Sequence, residues 1–429
     1  MSDAGGERLA LGPIVGFCLY DFAYSAFTTI VGTFVFATYF AKGVAVDPVV
    51  GTGQWSLSQA VAGVLVGVLS PICGAIADQT GRRKHWLFAL SLLCVITTAM
   101  LWLVRPTPAD VPFALVVSII ATVGFEMGTL FYNALLPGIA PPAMLGRISG
   151  WAWGIGYVGG LLALAIALFG LVQANPPPFG LDPAQAEPVR ATSLLVAAWF
   201  AVFAAPLFLL VKEPPAPRIR AGKAIGAAMA QLRETLGDLR GHGNILRFLI
   251  AAMLYSDGVH TIFALGGVYA GTMYGMDVPE VMMLGISLNI TSGLGAFAFA
   301  WMDDSHGSKR TIIVSLVCLL ISSAVVLTAP TKIVFWVAAL VMSTFFGPVQ
   351  AASRTLMARL APPKERGEMF GLFSLSGRLT AFAGPALVGW VTLATHSPRL
   401  GMATVLLFLG SGLWLVRGVR ESGPGNVAT

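Results

Sequence analysis

The chain has 429 residues, of which 56% are hydrophobic and only 11% charged. A soluble domain carries about 25% charged residues, so this composition excludes an ordinary solvated surface. Lysine and arginine exceed aspartate and glutamate by 26 to 20, an excess that in so apolar a chain marks cytoplasmic loops rather than nucleic-acid binding.

Apolar runs of the ~20 residues needed to cross a hydrocarbon core recur along the whole length and predict an all-α membrane protein. In chain order the predicted helices cover 11–41, 55–77, 85–104, 112–137, 149–173, 192–212, 245–273, 280–302, 311–329, 332–358, 369–394 and 400–418. The first run is too long for a signal-peptide core and lacks a basic leader, so it reads as an uncleaved span. If both termini are cytoplasmic, the outer loops hold Lys42, Arg105, Arg190, Lys332 and Arg399, one each. The inner side collects Arg82, Arg83, Lys84, Arg147, a dense set from Lys212 to Arg247, then Lys309, Arg310, Lys364, Arg366, Arg417 and Arg420. This asymmetry favours both termini inside.

The longest polar connection divides the chain into 1–212, a linker 213–244, and 245–429. The linker opens EPPAPR, which cannot continue a helix. Ile225, Met229, Leu232, Leu236 and Leu239 then form one amphipathic stripe, to lie on the inner membrane surface or against the protein's own loops. Cys18, Cys73, Cys94 and Cys318 are scattered without a C-x-x-C pair and read as small core residues.

Two motifs occur twice. GAIADQTGRRK (74–84) returns as AWMDDSHGSKR (300–310), both giving D-x-x-G before basic residues at an offset of 226. APPAMLGRISG (140–150) returns as APPKERGEMFG (361–371) at an offset of 221. The shared order predicts a six-helix unit used twice in parallel orientation. In the first copy Gly74 admits a neighbouring helix closely. Asp78 is placed to accept from the N-terminal amides of another helix or to pair with Arg82, beside Arg83, and Gly81 permits the turn. Asp304, Gly307, Lys309 and Arg310 repeat the set, with Ala300 in place of Gly74. Such a cluster is a candidate latch between the halves, or simply a loop held inside by its charges.

Charged residues within the apolar runs are the candidate site. Asp21, in LYDFAYS, lies about ten residues into the first run, or roughly 15 Å deep. Asp257, in LYSDGVHT, occupies the equivalent seventh run, with His260 on the same face. Intramembrane ionisable groups are functional candidates by default; the alternative is a structural carboxylate bonded to a neighbouring helix. Glu126 in VGFEMGTLFYN is a candidate carrier of a coupling proton. Ser25 is a further binding candidate, Tyr24 either walls a cavity or packs, and Asn133, Asn289 and Gln350 supply amides. Arg354 stands close to the predicted cytoplasmic end, where snorkelling or a latch competes with substrate contact. Arg378, about nine residues into its run, suits a substrate carboxylate, as its planar fork allows. Tyr157 and Trp153 either wall a cavity or pack. The glycines of GIGYVGG (154–160) and FAGPALVG (382–389) predict close crossings with the opposite half. No Walker A loop, dinucleotide fingerprint, H-E-x-x-H or G-x-S-x-G is present, so neither an enzyme nor a cofactor or metal is expected.

The G-x-x-x-D-x-x-G-R-R-K loop and its echo resemble the signature of the major facilitator superfamily. Within it, LYDFAYSAFTT, FYNALLPGIAPP, GYVGG, LYSDGVHTI and GPVQAASRTLMARLAPP resemble the branch of fungal vacuolar amino-acid effluxers and their bacterial relatives. The resemblance implies two six-helix bundles related by a pseudo-two-fold axis, with the first and seventh helices lining a central cavity. It implies a monomeric secondary transporter in a bacterial inner membrane, moving an amino acid or related small polar metabolite outward, coupled to a proton. The rivals are a multidrug or lipophilic-solute exporter with a Phe-, Met- and Trp-rich cavity, a membrane enzyme, and a sensor built on a transporter fold.

Overall fold

A computed structural model describes residues 11–212, 243–276, 278–363, 365–379 and 383–421. Among these residues the regular structure is helical throughout. Ten long apolar helices come first: α1 (Leu11–Val44), α2 (Gln54–Thr80), α3 (Arg83–Leu103), α4 (Pro108–Ile139), α5 (Pro142–Val172), α6 (Glu187–Leu210), α7 (Gly243–Gly267), α8 (Met283–His306), α9 (Ser308–Thr328) and α10 (Lys332–Leu360). Two shorter helices follow, α11 (Arg366–Leu379) and α12 (Ala383–Thr395), then α13 (Pro398–Arg417). The ten and α13 make eleven that are long and apolar enough to cross a membrane. The expected run 369–394 falls on α11 and α12, and the expected amphipathic linker stripe lies outside the described residues.

Local chemistry sets several starts. Thr331 and Ser397 precede α10 and α13, and each side-chain oxygen accepts a first-turn amide, from Val334 and Leu400, as N-caps do. Leu57, Val64 and Val68 on α2, with Phe88 and Ile96 on α3, stay exposed; a helix that faces lipid loses nothing by this.

Among the first six helices, α1 packs on α5 and α6, α3 on α4 and α6, and α2 on α4. Later, α7 packs on α13, and α9 on α10 and α13. The main crossings between the two sets are α2 against α11 and α5 against α8. These crossings use the second repeated motif. A Cβ on Gly146 or Gly150 of α5 would stand 2.5 Å from Asp303 Cβ or 2.7 Å from Ala296 O on α8, and one on Gly371 of α11 would stand 2.7 Å from Ser70 O on α2. Of the described glycines expected to face the opposite half, only Gly154 does so, against Phe297; Gly156, Gly159 and Gly160 meet α1, and Gly384 meets α7.

α1 is widened beyond Asp21. Phe27–Phe34 and Phe40–Val44 wind as π-helix, and the hydroxyls of Thr28 and Thr29 both donate to the Ser25 carbonyl while Thr33 donates to that of Thr28. Hydroxyl back-bonding absorbs carbonyls that a regular helix would use, and such π segments frequently mark functional positions.

Candidate functional site

At one end of the helices, where α2 and α8 finish and α5 and α11 begin, the two sets are tied twice. The Asp78 side chain is buried, and its carboxylate accepts from Gly367 N at 3.0 Å and Glu368 N at 2.9 Å in the first turn of α11. Its cation is Arg83, at 2.6 Å, and not Arg82 as the spacing suggested, because Arg82 precedes the first turn of α3. Gly74 lies one turn earlier, where any Cβ would run into Gly367 O. Gly81 takes φ +64° and Gly307 φ +92°, a region that only glycine enters freely.

Asp304 mirrors Asp78. It accepts from Gly146 N at 2.7 Å and Arg147 N at 3.1 Å, the start of α5, and from Arg147 Nε at 2.7 Å. The expected cations Lys309 and Arg310 are displaced here: among the described residues, Arg147 and Arg359 surround Asp304. Lys309 contributes its backbone amide, to Glu421 at 2.8 Å. Arg359 is buried and bonds Glu421 at 2.7 Å and Asp303 at 3.4 Å.

The middle of the protein holds a cavity in two connected compartments. The inner one, about 470 Å³, is lined by Asp21, Tyr24, Ser25, Glu126, Asn133, Trp153, Tyr157, His260 and Asn289, among others. The outer one, about 1250 Å³, shares Thr28, Thr29, Tyr157, His260 and Asn289 with it and adds Gln350. It runs on past Thr38, Met276, Val281, Phe335 and Met402, which lie toward the helix ends opposite Asp78 and Asp304. Thr28, Thr33, Thr38 and His260 are exposed along its wall. The cavity therefore opens away from the tied end.

Its closed floor is backed by an ion pair, of which Asp21 lines the inner compartment and Arg354 lies behind it. Asp21 and Arg354 meet at 3.0 Å, with side chains 1% and 3% exposed. Tyr132 donates to the same carboxylate oxygen at 2.8 Å. The Arg354 guanidinium also donates to Ser149 Oγ at 2.9 Å, Ser149 O at 2.6 Å and Asn133 Oδ1 at 3.5 Å. Its carbon lies 5.4 Å from the Phe17 ring centre and 5.8 Å from that of Trp153. In this conformation Arg354 neither snorkels nor faces the cavity; it reaches from α10 into a socket built by α1, α4 and α5.

The other predicted residues separate from this group. Asp257 is buried, does not line either compartment, and accepts from Gly384 N at 3.0 Å at the start of α12. The structural alternative for a buried carboxylate therefore describes Asp257 better than a cavity role. Asn289 and Gln350 line the cavity while each bonds a carbonyl of its own helix. Arg378 lies on α11, and its side chain falls outside the described residues. Sequence reasoning missed Ser149, Arg147, Arg359, Asp303 and Glu421. The first two stand inside the repeated APPAMLGRISG, which was a usable signal; Glu421 had none.

A family model described as "Vacuole effluxer Atg22 like" matches residues 55–422. The MFS-type transporter YxiO of Bacillus subtilis (strain 168) is 24% identical over 422 residues, covering 96% of this chain and 95% of its own. Autophagy-related protein 22-1 of Penicillium rubens is 23% identical over 308 residues, 64% of this chain and 50% of that protein, so the match spans half the length of this fungal relative. Among solved structures, the proton:xylose symporter XylE aligns with TM-score 0.76 at 13% identity over 98% of both chains. A bacterial homologue of the iron transporter ferroportin, in an outward-facing state, gives 0.70 at 15% identity over 96% of this chain and 99% of that one. These neighbours show the fold. With that fold and a family match covering most of its length, the chain belongs to the Atg22-like family of major facilitator superfamily transporters.

Proposed function

We propose that this transporter exports a small polar solute, an amino acid or a related metabolite, by alternating access in exchange for protons. The observation that carries the reading is the cavity: hydroxyl, amide and ionisable groups gather in its inner compartment among apolar side chains such as Phe125, Leu161 and Ile286, and it is open at one end and closed at the other by paired contacts between the two sets of helices. We read α11 and α12 as parts of one span, giving twelve in two six-helix halves. The tied end is rich in arginine and lysine, which by charge asymmetry puts it in the cytoplasm with both termini, so the conformation is outward-open. Asp78 and Asp304 then act as latches that release when the halves rock the other way. A bacterial cell membrane suits the likeness to the Bacillus relative, and the protein is read as a monomer.

Counterflow in proteoliposomes with a panel of labelled amino acids, with and without a pH gradient, tests this. Trapping of at least one amino acid in counterflow is expected, and an imposed pH gradient should drive its net accumulation. If none is trapped the substrate class is wrong, and indifference to the gradient removes the proton. One observation favours a second reading: the outer compartment is lined by Phe263, Met276, Leu284, Phe335, Met342 and Phe346, which suits a lipophilic solute. In that case Asp21→Asn spares transport of neutral compounds.

A further inference from the structure

We propose that the Asp21–Arg354 pair is the head-group receptor of this transporter. A ligand carrying an ammonium and a carboxylate on one carbon enters the pair, its carboxylate taking Arg354 and its ammonium taking Asp21. The proposal rests on the reading of a small-polar-solute exporter and adds which residues recognise the solute, and how.

Three observations carry it. First, the inner compartment reaches Asp21, Asn133 and Trp153, and all three lie against the Arg354 guanidinium. Asp21 is therefore part of the end wall of the cavity, and Arg354 stands directly behind it. Second, every described hydrogen bond from that guanidinium goes to α1, α4 or α5, namely to Asp21, Asn133 and Ser149. Opening the tied end must draw α10 and its arginine out of this socket. Third, the Trp153 indole N–H is buried in the cavity wall without a partner among the described residues, leaving a donor for an incoming ligand.

Separating two buried charges leaves each uncompensated, a strongly unfavourable state. A neutral solute compensates neither, and a simple amine or carboxylate compensates only one. A zwitterion compensates both and keeps each half's charge satisfied as the halves part. The planar fork of arginine matches a carboxylate in two-point contact. In this way the ligand itself unlocks the floor of its cavity.

The test measures dissociation constants of purified protein for labelled L-amino acids, with acetate and ethylamine as single-charge probes. Wild-type protein is expected to bind at least one amino acid, and neither acetate nor ethylamine at equal concentration. Asp21→Asn is expected to weaken amino-acid binding about tenfold or more, and to gain acetate binding because Arg354 is released. Asp21→Asn/Arg354→Gln removes both charges together, which buried pairs tolerate better than loss of one. It should stay monodisperse and bind no zwitterion. Wild-type amino-acid affinity in either variant would overturn the receptor, as would acetate or ethylamine binding to the wild type as tightly as the amino acid. Failure of every amino acid in wild-type counterflow sinks the transport reading, whereas counterflow surviving in the double variant sinks only the receptor.

Discussion

The Asp78 carboxylate rests on the Gly367 amide at 3.0 Å, and the Asp304 carboxylate on the Gly146 amide at 2.7 Å. These four residues are the two copies of two repeated motifs, and each D-x-x-G copy engages the G-x-x-x-G of the other copy. The chemistry explains the residue types. A helix N-terminus presents unpaired amides and a positive dipole end that an aspartate neutralises. The approach is possible only because the amide belongs to a glycine: a Cβ on Gly367 would stand 2.7 Å from Asp78 Oδ1, and one on Gly146 2.9 Å from Asp304 Oδ1.

Asp78→Asn and Asp304→Asn should therefore slow transport while leaving membrane insertion intact. Hydrogen bonds to a charged group are each worth about 1.5–3 kcal/mol, and the amide keeps one acceptor oxygen but loses the charge. Initial counterflow rates about tenfold lower than wild type are expected for each, normalised to reconstituted protein. Wild-type rates in both variants would leave these aspartates with a merely topological role.

The glycine contacts make a steric prediction. Gly146→Val and Gly367→Val put carbon where Asp303 and Asp78 now sit, so the tied end should no longer close. Ser70 is buried beside the α2–α11 crossing, its carbonyl against Gly371 and its hydroxyl donating to Met127 Sδ on α4. In a background without native cysteines, Ser70→Cys should react with a thiol reagent faster when combined with Gly367→Val. Gly138→Ala is the control, because no atom lies within 4 Å of its missing Cβ; it should be neutral or stabilise by up to about 1 kcal/mol. Equal reactivity of the introduced thiol with and without the Gly367 substitution would refute the closure model.

Much of this architecture was legible before the structure, for a physical reason. Apolar run length is imposed by the bilayer, so it survives in the linear sequence. The repeats were visible because both copies serve the same contact. What composition cannot give is which partner a side chain meets across a helix crossing. Asp21 and Asp257 look equivalent in LYDFAYS and LYSDGVHT, yet Asp21 meets an arginine from α10 while Asp257 meets the Gly384 amide at the start of α12. Arg354 looked close to a membrane edge because position along a helix was visible and side-chain direction was not. Arg359 and Glu421 were invisible because their pairing spans 62 residues and three helices.

That pairing yields a stability prediction. Arg359 is 4% exposed and stands among Glu421, Asp303 and Asp304. Arg359→Gln leaves Asp303 and Glu421 without this cation while Asp304 keeps Arg147, a loss of about 3–5 kcal/mol, and should lower the thermal midpoint in detergent markedly. Glu421 also accepts from Ser308 N and Lys309 N at the start of α9, a contribution of about 0.3–2 kcal/mol, so Glu421→Gln should cost less. Because the two side chains touch at 2.7 Å, the double variant should fall short of the sum of the single losses. Strict additivity would mean that the pair contributes nothing beyond its separate contacts.

Proton coupling should separate from transport at Glu126. Both Glu126 and Asp257 are intramembrane carboxyl groups, but only Glu126 lines the cavity, where a proton and a solute can arrive from the same water. A carrier must meet each side in turn as the halves rock, and a cavity wall does so while the start of α12 does not. Glu126→Gln keeps the shape and removes the titrating group. Counterflow moves solute without net proton transfer, so it should continue at about the wild-type rate, whereas accumulation driven by a pH gradient should vanish. Asp257→Asn should do the opposite, preserving gradient-driven accumulation per folded molecule while lowering thermal stability through the Gly384 contact. Gradient-driven accumulation that persists in Glu126→Gln assigns the proton to another cavity group, with His260 the next to test by His260→Gln.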